Sequence, residues 1–327
     1  MRWPVRIGVT LLLLALYWGV GYVLEATIIE YVVRILLFCG INAILAVGLN
    51  LINGTTGQFS IGHAGFMAVG AYTAAWVVTQ LELSLYGGRT DLAVWEVAVV
   101  FVPALGLGGL TAALAGVLVG VPSLHLRGDY LAIVTLGFGE IIRLVFNNWP
   151  ALGGALGYSG DRPLGLSVHT NFFWVASVAT LVITLIANFT HSSYGRALES
   201  IRDDEIAAEA AGIPTTRFKV LAFVISAASA GVAGGLFAHL QSAIQPNDFK
   251  FEKSIDMVVM IIIGGLGSVS GAVLGALFVG ITLELTRDLS EYRLITYAMV
   301  LILLMLFRPQ GILGTRELKL PFFGARS

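Results

Sequence analysis

Charge is what this sequence has least of. Only 12% of its 327 residues are Asp, Glu, Lys or Arg, about half the share of a soluble domain, while 57% are hydrophobic. One soluble core cannot hide that much apolar surface, so the bilayer is the solvent. A net charge of −1 leaves no global field to attract nucleic acid. The single cysteine, Cys39, excludes an internal disulfide and a thiolate metal cluster. No Gly-x-x-x-x-Gly-Lys-Ser/Thr loop occurs, so the chain has no phosphate cradle for hydrolysing ATP. Neither a Ser-His-Asp signature, a zincin helix nor a dinucleotide glycine fingerprint stands in a supporting context. No enzyme activity, cofactor or metal is expected.

What the sequence has is long apolar runs. Inside hydrocarbon every peptide group must be satisfied within the protein, and runs without strict alternation satisfy theirs as helices. The expectation is an all-α, polytopic membrane helix bundle with about 8 to 10 transmembrane segments and a possible inverted repeat. Ile7 to Leu24, Tyr31 to Leu49, Ala93 to Val121, Phe172 to Phe189, Arg217 to Leu240 and Arg293 to Phe307 predict spans. Gln58 to Gln80, Tyr130 to Phe146, Ile255 to Leu266 and Val269 to Leu285 are glycine-rich, short or interrupted by charge, which suits broken or re-entrant helices. Arg2 and Arg6 before the first run mimic a signal peptide, but the run is long enough to span and no small-x-small cleavage pattern follows it closely.

Basic residues are retained on the cytoplasmic side. Arg2 and Arg6 predict a cytoplasmic N-terminus, and Arg308, Arg316, Lys319 and Arg326 a cytoplasmic C-terminus, in a multi-pass protein of the inner (plasma) membrane. Ten crossings would also put Arg196 and Arg202 inside, and would leave Lys250 and Lys253 outside against the rule. Eight crossings with two re-entrant segments stay open. The domain expectation is a membrane region, 1–308, containing a cytoplasmic loop, 192–214, and followed by a cytoplasmic tail, 309–327.

Gly116 with Gly120, Gly231 with Gly235, and Gly267, Gly271 and Gly275 recur at four-residue spacing, which lets helix backbones approach closely. The blocks from Tyr31 to Phe146 and from Arg217 to Phe307 each hold four segments. With ten crossings they enter the membrane from opposite sides, as an inverted repeat does.

Within the loop, Ser192 or Ser193 can cap one helix, while Asp203, Asp204 and Glu205 supply the acidic first turn of another. Gly212 and Pro214 stop the second helix. Between lies Ile206-Ala207-Ala208-Glu209-Ala210-Ala211, whose small side chains suit insertion into a partner's groove, with Arg202 and the acids as a polar rim. A helical loop with no partner is the alternative.

Ionisable residues within apolar runs cost about 2.5–3.5 kcal/mol at a helix centre, so each needs a reason. Glu140 and Arg143, three apart, share a helix face and can neutralise each other; a structural pair or a pathway role both fit. Arg34 can snorkel from the end of its span. Asn50, Asn53, Gln58, Ser60 and His63 form a polar tract among glycines, suited either to tight packing or to lining a path for a zwitterion.

Tyr194-Gly195-Arg196-Ala197-Leu198 followed by Glu209-Ala210-Ala211-Gly212 resembles the Glu-Ala-Ala coupling loop of ABC importer permeases. Four blocks in order resemble the LivM-type branched-chain amino acid permease. They are Gly48 to Phe66, Leu126 to Ile133, Gly137 to Ile141 and Gly264 to Gly271, so that the resemblance covers nearly the whole chain. The loop departs from the fuller pattern in having Ile213-Pro214 where a Leu-Pro pair is usual. The resemblance implies an ATPase-coupling role for Arg202, Asp203, Asp204, Glu205, Ala208, Glu209, Ala210, Ala211 and Gly212. It implies four partners besides the bilayer: a second, LivH-like permease, two cytoplasmic ABC ATPase subunits and an extracytoplasmic substrate-binding protein. The implied cargo is leucine, isoleucine and valine, with urea, short amides or other amino acids as alternatives. A stand-alone transporter driven by an ion gradient, or a membrane-embedded scaffold, would need no ATPase.

Overall fold

The computed structural model describes residues 15–24, 29–87, 93–123, 128–159, 169–241 and 243–285, the single residues 27 and 126, and short pieces between 295 and 317. Arg2, Arg6, Arg316, Lys319 and Arg326, expected to orient the termini, and much of the expected span from Arg293 to Phe307 lie outside the described residues. The helices are α1 (Ala15–Leu24), α2 (Glu30–Asn50), α3 (His63–Tyr86), α4 (Val94–Ser123), α5 (Asp129–Asn147), α6 (Phe172–Thr190), α7 (Ser193–Asp203), α8 (Glu205–Ala210), α9 (Thr215–Ala238), α10 (Phe251–Gly264) and α11 (Val269–Leu285). Among the described residues, β pairing is confined to an isolated bridge between Tyr158 and Ile244. Among the described residues six helices, α2 to α6 and α9, are long and apolar enough to cross a membrane. The bundle is all-α and multi-pass.

Helices α2, α3 and α9 form its centre. Every residue of α2 from Ile41 to Asn50 is buried, and only Asn42 and Asn50 among them are polar. Small residues allow that density. A methyl group on Gly70 of α3 would overlap the backbone of Gly231 in α9, and one on Gly234 would overlap the Met67 carbonyl. Where α4 meets α9, a Cβ on Gly116 would lie 2.7 Å from the Ala227 methyl, and one on Gly120 would lie 2.9 Å from the Phe223 ring. The spacing of Gly116 with Gly120 and of Gly231 with Gly235 thus marks helix contacts, which replace the hydrophobic effect between helices in lipid. Gly267 is the exception in its series, because it sits in the turn before α11 at φ +87.

The helix pairs repeat. Helix α4 packs on α9 as α11 packs on α2, α3 on α4 as α10 on α11, and α3 on α9 as α10 on α2. Exchanging α2 with α9, α3 with α10 and α4 with α11 maps each pair onto another, and the exchanged helices run in opposite directions through the bundle. That is the contact pattern an inverted repeat produces. We call the end bearing α7 and α8 the lower end.

The second helix of the first half, α3, starts inside the bundle with His63 to Met67 buried, whereas α10 of the second half opens on exposed Phe251 and Glu252 before burying Ser254. After α2 the chain turns back upward, and Gly62 meets the Thr135 carbonyl in the second turn of α5. The backbone N–H of Ala64, in the first turn of α3, donates to Ser254 Oγ of α10 at 3.0 Å. The N–H of Phe251, opening α10, donates to Glu140 Oε1 of α5 at 3.2 Å. A helix beginning away from water needs such acceptors for its orphan N–H groups. Lys253 lies in the same region and donates to Asn42 Oδ1 at 3.4 Å. Its ammonium therefore points into the protein, which removes it as a surface charge that could orient the chain.

Candidate functional site

Below α6 the chain leaves the bundle as two short helices. Ser192 caps α7, its Oγ accepting from Tyr194 N at 3.2 Å. Asp204 adopts an extended backbone between the helices and caps α8, accepting from Ile206 N at 2.9 Å and Ala207 N at 3.1 Å. A carboxylate there also meets the positive end of the helix dipole. Asp203 ends α7 rather than opening α8, and pairs with Arg202 at 3.2 Å. At the far end Gly212, φ +85, donates to the Glu209 carbonyl at 2.9 Å while Ile213 N reaches the Ala208 carbonyl at 3.0 Å. This closure needs a left-handed residue, which glycine supplies at least cost.

One face of α8 is already occupied. Ala208 is 4% exposed and faces inward. Glu205 pairs with the buried Lys219 of α9 at 2.6 Å, and Glu209 Oε1 accepts from the Thr215 hydroxyl at 2.8 Å. Residues three and four apart share a helix face, so Glu205, Ala208 and Glu209 together seat α8 on the start of α9. Ala208, expected against a partner, instead serves this seat. The opposite face shows Ile206, 70% exposed, with Ala207, Ala210, Ala211 and Gly212.

Behind this segment lies a polar joint. The last turn of α2 widens into a π turn, Leu51–Thr55. Asn50 clamps that turn to the loop before α11, its Oδ1 accepting from Gly267 N at 2.9 Å and its Nδ2 donating to the Ser268 carbonyl at 3.1 Å. Gly54 and Gly267 meet backbone to backbone. Asn53 closes the returning stretch by the same means, Nδ2 to the Ser60 carbonyl at 3.2 Å and Oδ1 from Ser60 N at 3.1 Å. From α7, Arg202 Nη1 donates to the Gly54 carbonyl at 3.3 Å. The tail joins too. Glu317 accepts from Ser270 N at 3.1 Å and Ser270 Oγ at 2.6 Å, while Ile312 N donates to the Ile263 carbonyl at 2.7 Å.

Of the polar tract, then, Asn50, Asn53 and Ser60 are consumed in packing. His63 is buried beside Gly48 and Ser229. Gln58 is half-buried, its N–H donating to the Ile52 carbonyl at 3.1 Å. Glu140 stands apart from them on α5. Its Oε2 pairs with Arg143 Nε at 2.7 Å and its Oε1 caps α10, and the side chains of Glu140 and Arg143 stay 31% and 18% exposed. They flank an exposed stripe of Tyr130, Ile133, Gly137, Ile141 and Leu144.

Residues 31–308 match the family described as branched-chain amino acid transport system / permease component. The chain belongs to that family. This permease is 39% identical over 303 residues to the high-affinity branched-chain amino acid transport system permease protein LivM of Salmonella typhimurium, covering 84% of this chain and 68% of that protein. Its identity to LivM of Escherichia coli K12 is 38% over the same shares. To the permease protein LivH of Escherichia coli K12 it is 26% identical over 296 residues, covering 85% of this chain and 92% of that protein.

Reasoning from sequence missed several groups in the permease. Lys219 lies within the span expected from Arg217 and Thr215 just before it, and nothing local marks them as the anchors of α8. Glu317 fell in the tail, with no signal tying it to α11. The exposure of Ile206 could have been found: placing Ala208 with Glu205 and Glu209 on the inner face leaves Ile206 outward.

Proposed function

We propose that this permease is one of two membrane subunits of an ATP-driven importer for leucine, isoleucine and valine. Its exposed α8 face docks into a groove of a cytoplasmic ATPase. In this reading the lower end and both termini are cytoplasmic, and the upper end receives substrate from an extracytoplasmic binding protein. The observation that carries it is the shape of α8: a capped, closed helix seated on α9 by one face, with Ile206 and three alanines presented on the other. Such a surface has no core of its own to join, and small side chains admit close approach by a partner.

The second permease covers α5. Charged groups are costly in lipid, so a partly exposed Glu140–Arg143 pair at spanning depth fits a protein contact or a wet passage better than acyl chains. Substrate would pass along that face. The similarity to both LivM and LivH supports a partner that is a homologue rather than a second copy. For the ion-coupled alternative, Glu140 is the acid at this depth that sequence singles out, and both its oxygens are engaged.

The test replaces Ala210 by Trp. ATPase subunits should fall away in co-purification by about tenfold or more, as expected for a bulky group driven into a packed interface, while the permease stays in the membrane. Undiminished co-purification would remove the docking assignment. Vesicles with labelled leucine test the energy source: uptake should need ATP, and uptake that followed a proton or sodium gradient without ATP would favour the secondary transporter.

A further inference from the structure

We infer that Arg202 is the transmission residue of this permease: it carries displacement of the docking segment into both halves of the membrane body, and does not itself hold the ATPase. The inference rests on the docking proposal above and adds the route by which docking is felt. Although Arg202 is in the last turn of α7, its side chain turns back under the bundle. Nη1 donates to the Gly54 carbonyl at 3.3 Å, in the π turn that ends the first helix of the first half. Its stem covers Gly57, where a Cβ would sit 2.6 Å from Arg202 Cγ. Nη1 would also lie 3.5 Å from a Cβ on Gly267, in the turn between α10 and α11 of the second half. Asp203 braces the other edge of the guanidinium, at 3.2 Å from both Nε and Nη2.

The guanidinium is therefore a rigid plate held at α7 and laid against two backbone turns that Asn50 already ties together. Glycine at 57 is what allows the stem so close, and glycine at 54 is what lets the two turns meet beneath the plate. A planar fork with donors on several edges suits this task better than an ammonium point charge. A π turn is a rare departure from the α-helix that recurs at functional sites. When the docking segment shifts, Arg202 drags the Gly54 carbonyl, and the Gly54–Gly267 contact passes the shift to α10 and α11.

The experiment is Arg202→Gln in the full transporter, reconstituted with its ATPase subunits and binding protein, with Arg202→Lys beside it. The expected result is uncoupling. ATPase subunits still co-purify and hydrolysis stays within about twofold, whereas uptake per ATP hydrolysed falls about tenfold or more, the loss of a typical coupling energy. Arg202→Lys, which keeps the stem and charge, should recover part of that ratio. Wild-type uptake per ATP retained in Arg202→Gln would overturn the inference and leave docking intact. Loss of the ATPase subunits from well-folded Arg202→Gln would also overturn it, by making Arg202 a docking residue. Should Arg202→Gln fail to fold, Gly57→Ala, which displaces the stem from the opposite side, is read by the same ratio, and an unchanged ratio there overturns the inference. A wild-type complex that transports without ATPase subunits would instead sink the docking proposal itself.

Discussion

Two places in this permease bring backbones into contact, and opposite means hold them. At the α3–α9 crossing, Gly70, Gly231 and Gly234 meet over many turns of neighbouring helix with no polar side chain involved. At the lower joint, Gly54 and Gly267 touch at one point, and the contact is kept by Asn50, Arg202 and Glu317. Dispersion spread over a long interface has no single member whose loss releases it. Hydrogen bonds to individual carbonyls can be exchanged one at a time at small net cost. The crossing is built to stay and the joint to move.

Breaking the first member of this comparison should have the largest effect. Gly70→Leu forces a side chain into the Gly231 backbone, where no flexible group can yield, and should exceed the usual cost of overpacking, about 1–3 kcal/mol. The measurement is recovery of monodisperse permease in detergent, expected to fall to near nothing; normal recovery would mean that the crossing is looser than described. Next comes Asn50→Ala. It orphans Gly267 N, at about 1–3 kcal/mol for a polar group left unpaired, and takes one of two donors from the Ser268 carbonyl, which keeps Ala272 N at 3.0 Å. Melting should occur at lower temperature, and amide exchange should rise at Gly267 while α3 and α9 remain protected. Uniform loss of protection would erase the distinction between the two regions.

The smallest effect sharpens the contrast. Glu317→Gln keeps an acceptor for the start of α11 but removes its charge, so it should cost no more than about 1 kcal/mol. Protease cleavage of the tail, followed by gel, should quicken several-fold with the melting temperature almost unmoved. A large drop in melting temperature would make the tail part of the core rather than of the joint.

The crossing was legible in part, through Gly231 in its pair with Gly235 though not through Gly70 or Gly234, and the joint was not. Glycines at four-residue spacing in an apolar run announce close helices, because the signal lies within one helix and repeats. Of the two opposed blocks marked from run lengths, the first three segments of each are the helices that exchange, and the fourth of the second block lies largely outside the described residues. By contrast, Asn50 and Gly267 are 217 residues apart, and a lone amide among glycines has no local feature that distinguishes clamping a turn from lining a path. The loop falls between. A cap at Ser192 and the stop at Gly212 follow from local chemistry, which placed Asp204 in an acidic first turn where the structure makes it the cap. The inward facing of Ala208 depends on Lys219 and Thr215, which lie on the next helix.

The bond from Ala64 to Ser254, 190 residues along the chain, bears on how the protein is made. A ribosome releases α3 long before α10 exists, so this early helix waits in the bilayer with its first turn unfinished. Synthesis halted after α9 would therefore yield a fragment fit for proteolysis rather than half a working transporter.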